Sequence, residues 1–193
     1  MKNKKIGIIG RGFVGSAVQF GFSPNTGCDA EVKVYDKDPN KSLHTLEETV
    51  NDSDFIFLSV PTPSNIDGTI NLDTVDKALS DINNVSNRKD NIILLRSTMI
   101  PGSTRVFQNK YPDLNLVFNP EFLTERSANF DFINQARVVL GGENNNTKEV
   151  AKLFQWRFGK TISIIETDFE SAEIIKYMTN TYLATKVSFL NDM

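Results

Sequence analysis

Apolar residues along this chain come in short blocks separated by polar stretches. KIGII (5–9), EVKVY (31–35), DFIFLSV (54–60), NIILLRS (91–97), LNLVF (114–118), ARVVLGG (136–142) and TISII (161–165) predict seven strands. Several are apolar at successive positions rather than alternating, which is the pattern of strands covered on both faces. Between them the spacing turns helical: Leu72, Val75, Leu79 and Ile82 fall at i, i+3, i+7 and i+10, and Val150, Leu153 and Phe154 share a face in NTKEVAKLFQWRF. GGENNNTKE reads as a polar loop opening that second helix, with Asn146 or Thr147 as its cap. The stretch SAEIIKYMTNTYLATKVSFLNDM (171–193) predicts one long helix with Lys176 and Asn180 a turn apart, and Thr167 three residues before Glu170 fits a capping box at its start. Strands alternating with helices predict an α/β fold, a doubly wound and mainly parallel sheet.

Size and charge narrow the function. A chain of 193 residues suits one large domain or a domain with a small appendage. A net charge of −3, with both signs mixed along the chain, gives no electrostatic footprint for nucleic acid or an anionic membrane, so a small soluble ligand is expected. No run of about 18 apolar residues appears, and the first apolar block runs into glycines instead of a signal-peptide cleavage pattern, which predicts a cytoplasmic protein. A single cysteine, Cys28, and a single histidine, His44, leave neither an internal disulfide nor a zinc cluster, and no metal site is expected.

The first block leads into GRGFVG, where Gly10, Gly12 and Gly15 fill the pattern G-x-G-x-x-G. The pattern gains weight from its setting: a strand precedes it, an apolar helix follows, and Asp36 ends the next strand 21 residues after Gly15. Gly10 would make the tight turn, Gly12 would admit a pyrophosphate close to the backbone, and Gly15 would let helix and strand pack. The helix N-terminus then offers unpaired N–H groups and a partial positive charge, worth roughly 0.3–1 kcal/mol per neighbouring anion. These features predict a Rossmann-like dinucleotide site. Asp36 can accept both hydroxyls of an adenosine ribose but repels a 2′-phosphate, by roughly 4 kcal/mol per unit charge at 4 Å and an effective dielectric near 20. NAD is favoured over NADP, although Lys37 and Lys41 stand close enough in sequence to soften that preference.

Ligands of such sheets lie outside the carboxyl ends of the strands. There the chain places LSVPTPS, RSTMIPGST and FNPEFLTE, which put hydroxyls, prolines and carboxylates where a structural turn more often has Gly, Asn or Asp. Thr62, Ser97 and Thr98 can each bond a ligand or merely the backbone. If PEFLTE is a helical turn opened by Pro120, Glu121 and Glu125 share a face, a costly placement unless one of them handles protons or a ligand.

GRGFVG, VPTP, RSTMIPGST, NPEFLTERSANFDF, RVVLGG and SAEIIKYMTNTYLATKVSFLND together resemble, in order, the motifs of the UDP-glucose/GDP-mannose dehydrogenases, from Lys5 to Asp192. Those enzymes oxidise the C6 alcohol of a nucleotide sugar twice, with two NAD per turnover, and a long central helix joins their NAD domain to dimerising and nucleotide-sugar domains. The resemblance implies that Gly10, Arg11, Gly12, Phe13, Val14, Gly15 and Asp36 hold NAD together with Lys41, Val60, Pro61, Thr62, Ser97, Thr98 and Glu125. It also implies that Lys176 steadies the oxyanion of the hydride steps, that Asn180 holds substrate or water, and that Glu121 with Thr98 positions water or a proton for thioester hydrolysis. Domain limits follow: an NAD-binding domain over 1–166 and the start of the interdomain helix over 167–193.

The chain also departs from the family pattern. Family members run to about twice this length, and the nucleophilic cysteine is expected beyond residue 193; Cys28, ahead of the second strand, does not replace it. Only 18 residues separate Asp36 from Phe55 where the family has a longer helical insertion. NQARVV retains only Arg137 of a Pro-Asp-Arg run, and Arg126 stands in place of a glycine. The implied partners are a nucleotide sugar such as UDP-glucose, and a second copy or a separately encoded C-terminal half that covers the apolar face of the last helix. Two alternatives stay open: a short β-hydroxyacid or 6-phosphogluconate-type dehydrogenase, and a non-catalytic NAD-binding module.

Overall fold

A computed structural model describes residues 4–193; the three residues before them, part of the stretch read for a signal peptide, lie outside the described residues. The strands are β1 (Lys5–Ile9), β2 (Glu31–Tyr35), β3 (Phe55–Leu58), β4 (Ile92–Leu95), β5 (Asn115–Phe118), β6 (Arg137–Gly142) and β7 (Ser163–Thr167). They form one sheet in the order β2-β1-β3-β4-β5-β6-β7, parallel throughout except where β6 meets β5. The helices are α1 (Phe13–Gly21), α2 (Leu46–Asn51), α3 (Asp73–Val85), α4 (Ser103–Lys110), α5 (Ala128–Ile133), α6 (Asn144–Phe158) and α7 (Phe169–Asp192). Helices α1, α5 and α6 pack on one face around Phe22, Phe57 and Phe132, with the rings of Phe57 and Phe132 lying 5.5 and 6.0 Å from that of Phe22. Helices α2, α3, α4 and α7 cover the other face over Ile56, Leu58, Leu95 and Phe118. The doubly wound, mainly parallel Rossmann-like sheet is therefore present, and the continuous apolar strands are the ones buried on both sides.

Strand ends matter more than strand centres here. β3 and β4 stop at Leu58 and Leu95, earlier than the apolar runs, so Ser59–Val60 and Arg96–Ser97 are released into the turns beyond the sheet. β6 begins at the end of the sheet where β5 finishes and must run back along it, which places Arg137 at that same end. β7 lies two residues later than TISII, because Thr161 and Ile162 are used in the turn after Gly159 while Glu166 and Thr167 pair with Leu140 and Gly141. Cys28 is buried in the α1 face, and burial pushes its thiol pKa up, as suits an inert packing residue.

Both helix caps differ from the sequence expectation. The N-cap of α6 is Glu143, without a side-chain bond; Thr147 already lies inside the helix, where its hydroxyl donates to Glu166 Oε2 at 2.8 Å. α7 is capped by Asp168, whose Oδ1 accepts from Ser171 N at 2.7 Å, since Thr167 is still held in the β7 ladder.

α7 is docked at its start only. Phe169, Ala172, Glu173 and Lys176, at i, i+3, i+4 and i+7, are buried, whereas every residue from Tyr177 onward except Thr179 is exposed. Gly141 lets the helix close: a Cβ there would lie 2.5 Å from Ala172 Cβ. Glu173 fastens it to α4, accepting from Gly102 N (2.6 Å), Thr104 N (2.8 Å) and the Thr104 hydroxyl (2.6 Å), so a carboxyl from one helix occupies the N-terminus of another. Burial raises the Glu173 pKa, with these hydrogen bonds opposing the shift. A raised folded-state pKa contributes stability that is full below the ordinary glutamate value, about 4.3, and is lost as pH rises through the folded value. As pH rises from about 4.3 the urea midpoint of the unsubstituted chain should therefore fall relative to that of Glu173→Gln; parallel pH profiles would show that Glu173 does not titrate in this way.

Candidate active site

The first crevice is built by β1, its glycine turn and the end of β2. Gly10 has φ +91°, and a Cβ there would lie 2.5 Å from the Ser59 carbonyl oxygen, so only glycine makes this turn. At Gly15 a Cβ would meet the Gly10 oxygen at 1.9 Å, whereas at Gly12 it would find nothing within 4 Å. Two glycines are thus explained by packing, and the third faces open space. No side chain caps α1 and no acidic residue stands in its first turn, so the amides of Phe13, Val14 and Gly15 are left for an external acceptor. Asp36 closes the other side, its Oδ2 accepting from Arg11 N at 2.5 Å and its Oδ1 from Asp38 N at 2.9 Å. Each oxygen keeps a further acceptor direction for a ribose hydroxyl. The Lys41 side chain is exposed on the loop that follows.

The turns after β3 and β4 are bonded to each other. Ser97 Oγ donates to the Val60 carbonyl at 2.5 Å and Thr62 Oγ1 to the Thr98 carbonyl at 2.9 Å, which fixes the Val60-Pro61-Thr62 turn against Ser97-Thr98. These hydroxyl protons are committed to backbone, leaving the oxygens as acceptors.

The segment after β5 is not a helical turn. Residues 119–124 are irregular, Leu123 N is drawn back to Glu121 Oε2 at 2.7 Å, and a 3-10 turn begins only at Glu125. Glu121 and Glu125 therefore do not share a helix face. Glu125 is exposed in a groove of about 330 Å³ lined by Phe13, Ser16, Arg126 and Phe130, beside the first turn of α1. Glu121 turns inward to α7, where Lys176 Nζ donates to its carboxylate at 2.9 Å and to its carbonyl at 2.5 Å. Side-chain exposure is 5% for Lys176 and 11% for Glu121, so the pair is nearly desolvated. The Phe122 ring carries two cations, Lys176 Nζ at 5.4 Å and the Arg137 guanidinium at 5.1 Å from its centroid. Behind them Arg96 is buried between Phe57 and Phe132, donates to Asn119 Oδ1, and has its pKa pulled down to about 10 by burial while the Glu121 charge opposes that shift. Asn180, one turn beyond Lys176, is exposed.

A cofactor turn, two hydroxyl turns and a buried lysine–carboxylate pair lie along the ends of one sheet, in a chain whose residues 40–157 match the profile of the UDP-glucose/GDP-mannose dehydrogenase family, NAD binding domain. The chain belongs to this family. Among its relatives is the UDP-glucose 6-dehydrogenase of Campylobacter jejuni, 32% identical over 98% of this chain and 55% of that enzyme. An uncharacterised protein of Methanocaldococcus jannaschii is 34% identical over 97% of this chain and 25% of its own length. The fold superposes on a GDP-mannose dehydrogenase of Pseudomonas aeruginosa with a TM-score of 0.81 at 24% identity, covering 97% of this chain and 51% of that one. This chain thus spans between a quarter and about half the length of these relatives.

As an NAD-binding domain of this dehydrogenase family, the chain takes NAD as its cofactor. The residues present suit it: an open glycine, an uncapped helix start and a carboxylate at the second strand end. Sequence reading missed Glu173, which sits three residues before Lys176 on the buried face of α7; the Phe169, Ala172, Glu173, Lys176 spacing was the available signal. It also gave no role to Arg96 and Asn119, although RSTMIPGST and NPEFLTERSANFDF open on them. Removing one member of a buried ion pair strands the other. Lys176→Met should cost about 3 kcal/mol or more in urea denaturation, and adding Glu121→Gln should recover a large part of that loss. Additive losses would mean that the two groups are not coupled.

Proposed function

We propose that this chain is the cofactor-binding half of a nucleotide-sugar 6-dehydrogenase of the UDP-glucose type. The observation that carries this reading is the Lys176–Glu121 pair, delivered by α7 to the same sheet end as the glycine turn and the Ser97–Thr98 turn. In this reading the amides of Phe13 to Gly15 meet the pyrophosphate, Asp36 and Lys41 take the adenosine ribose, and Val60, Pro61, Thr62, Ser97, Thr98 and Glu125 line the path to the nicotinamide. NAD, when bound, supplies the hydride acceptor.

The remaining roles follow from the side chains. Lys176 is an ammonium fixed before the reaction starts, and such a group stabilises negative charge forming on a substrate oxygen without reorganising. Glu121 shares that proton-rich site and is placed to take or return a proton during hydrolysis of the acyl intermediate, with Thr98 ordering water. Asn180 would hold the substrate or that water. The nucleophilic cysteine and the nucleotide pocket would come from outside these 193 residues, from further chain or a separately encoded half, with a second copy of this chain as the other candidate partner. A cytoplasmic location fits that substrate class, and no helix among the described residues is long and apolar enough to cross a membrane.

Calorimetry should detect NAD binding by this chain, and Asp36→Ala should weaken it by about tenfold or more, the loss of roughly 1.4 kcal/mol or more of hydroxyl recognition. The chain alone should not oxidise UDP-glucose. Turnover should appear when it is mixed with the half of a relative that carries the remaining domains; NAD binding with no turnover in any such mixture would instead favour a non-catalytic module.

A further inference from the structure

The adenosine end of the crevice holds Arg11, which the family resemblance counts among the NAD-holding residues but whose charged side chain has no contact assigned to it. Arg11 stands between the first two glycines, and only its backbone N–H serves Asp36. Its side chain is moored at two points: Nε donates to Gln19 Oε1 on α1 at 3.0 Å, and Nη1 to the Lys41 carbonyl at 3.2 Å. The second anchor is itself fixed, because Leu43 N and His44 N both donate to the Val34 carbonyl, at 3.0 and 2.9 Å. Within the same loop Ser42 Oγ accepts from Asp36 N at 3.1 Å and donates to the His44 carbonyl at 2.9 Å. The guanidinium is thus held across the gap between α1 and the loop behind Asp36, where the adenosine ribose is expected.

Both of its partners are neutral oxygens. Among the described residues no carboxylate pairs with Arg11, and none pairs with the exposed side chains of Lys37 and Lys41. The acids of this stretch are Asp36, whose two oxygens accept from Arg11 N and Asp38 N, and Asp38, whose Oδ1 accepts from the backbone and side-chain amides of Asn40. A fixed, uncompensated guanidinium favours an anion with several oxygens, and the 2′ position of the ribose is where NADP differs from NAD by one such group.

We propose that Arg11 is a cofactor-selecting residue that lets this crevice accept NADP as well as NAD, by meeting the 2′-phosphate that Asp36 alone would repel. The proposal rests on the dinucleotide reading of the crevice. On the unsubstituted chain, calorimetry should give an NADP affinity within about tenfold of that for NAD. The fragment 2′,5′-ADP should likewise bind no more than about tenfold more weakly than 5′-ADP. Arg11→Ala should lower the ratio of NADP to NAD affinity by about tenfold, and Arg11→Lys should restore part of it, because the ammonium keeps the charge without the fork. NAD binding without NADP binding, or a ratio unchanged in Arg11→Ala, overturns this proposal alone. Binding of neither dinucleotide overturns the crevice reading and this proposal with it. The fragment pair separates these two failures without any substitution: 5′-ADP bound and 2′,5′-ADP refused removes the role of Arg11, and both refused removes the crevice.

Discussion

A lysine with 4% of its surface exposed needs an anion beside it, and in this chain the anion is Glu121. That requirement organises the carboxyl end of the sheet. Lys176 sits two turns into α7, Glu121 sits three residues past β5, and the contact between them holds the start of the long helix over the irregular segment 119–124. Glu173 adds a second tie to the N-terminus of α4, so α7 is fixed at once to the turn after β5 and to the helix that follows Ser97–Thr98. The proposed catalytic groups come from separate loops and one helix. They share a geometry because two buried polar side chains on a single helix face, Glu173 and Lys176, are each bonded to a fixed partner.

This arrangement explains what was legible in the sequence and what was not. The strands were legible because β3 and β4 are buried on both faces and must be apolar at every position, a pattern that few other structures require. The glycine turn was legible because Gly10 and Gly15 have no alternative residue, one by backbone conformation and one by the 1.9 Å approach of a carbonyl. By contrast, PEFLTE carries helix-compatible residues and an N1-type proline, yet it is irregular. There the Leu123 amide bonds to Glu121, the Thr124 amide to Asp131, and the Lys176 charge draws Glu121 away from any helical position. Local propensity lost to a contact 55 residues distant, which no window of sequence displays. The caps failed for a related reason: Thr167 was claimed by the β7 ladder, so the helix took the next oxygen, Asp168.

The two ends of the crevice differ in how far the protein itself has already satisfied them. At the hydroxyl turns, the donors of Thr62 and Ser97 are used internally, so that region offers shape and acceptors. At the adenosine end, Asp36 is partly used as a backbone tie while Arg11 is held in place without a counter-charge. A carboxylate that spends part of its acceptor capacity on the loop discriminates less strongly against a second anion than a free one, and a preorganised guanidinium beside it acts in the opposite electrostatic sense. A ribose substituent would therefore meet the guanidinium as well as the strand-end acid.

The same unevenness runs along α7. Lys176 is sealed by residues of this chain, but Asn180, one turn on, lies on an exposed surface with Tyr177, Leu183, Val187 and Leu190, which are 43%, 54%, 60% and 67% exposed. An amide in bulk water exchanges hydrogen bonds freely and orients nothing, so the role proposed for Asn180 requires a surface that excludes solvent from this turn. Apolar side chains bordering it would drive such an association through the area they bury. The buried lysine and the exposed asparagine therefore make different demands: the first is met within this fold, and the role proposed for the second needs cover that the described residues do not supply.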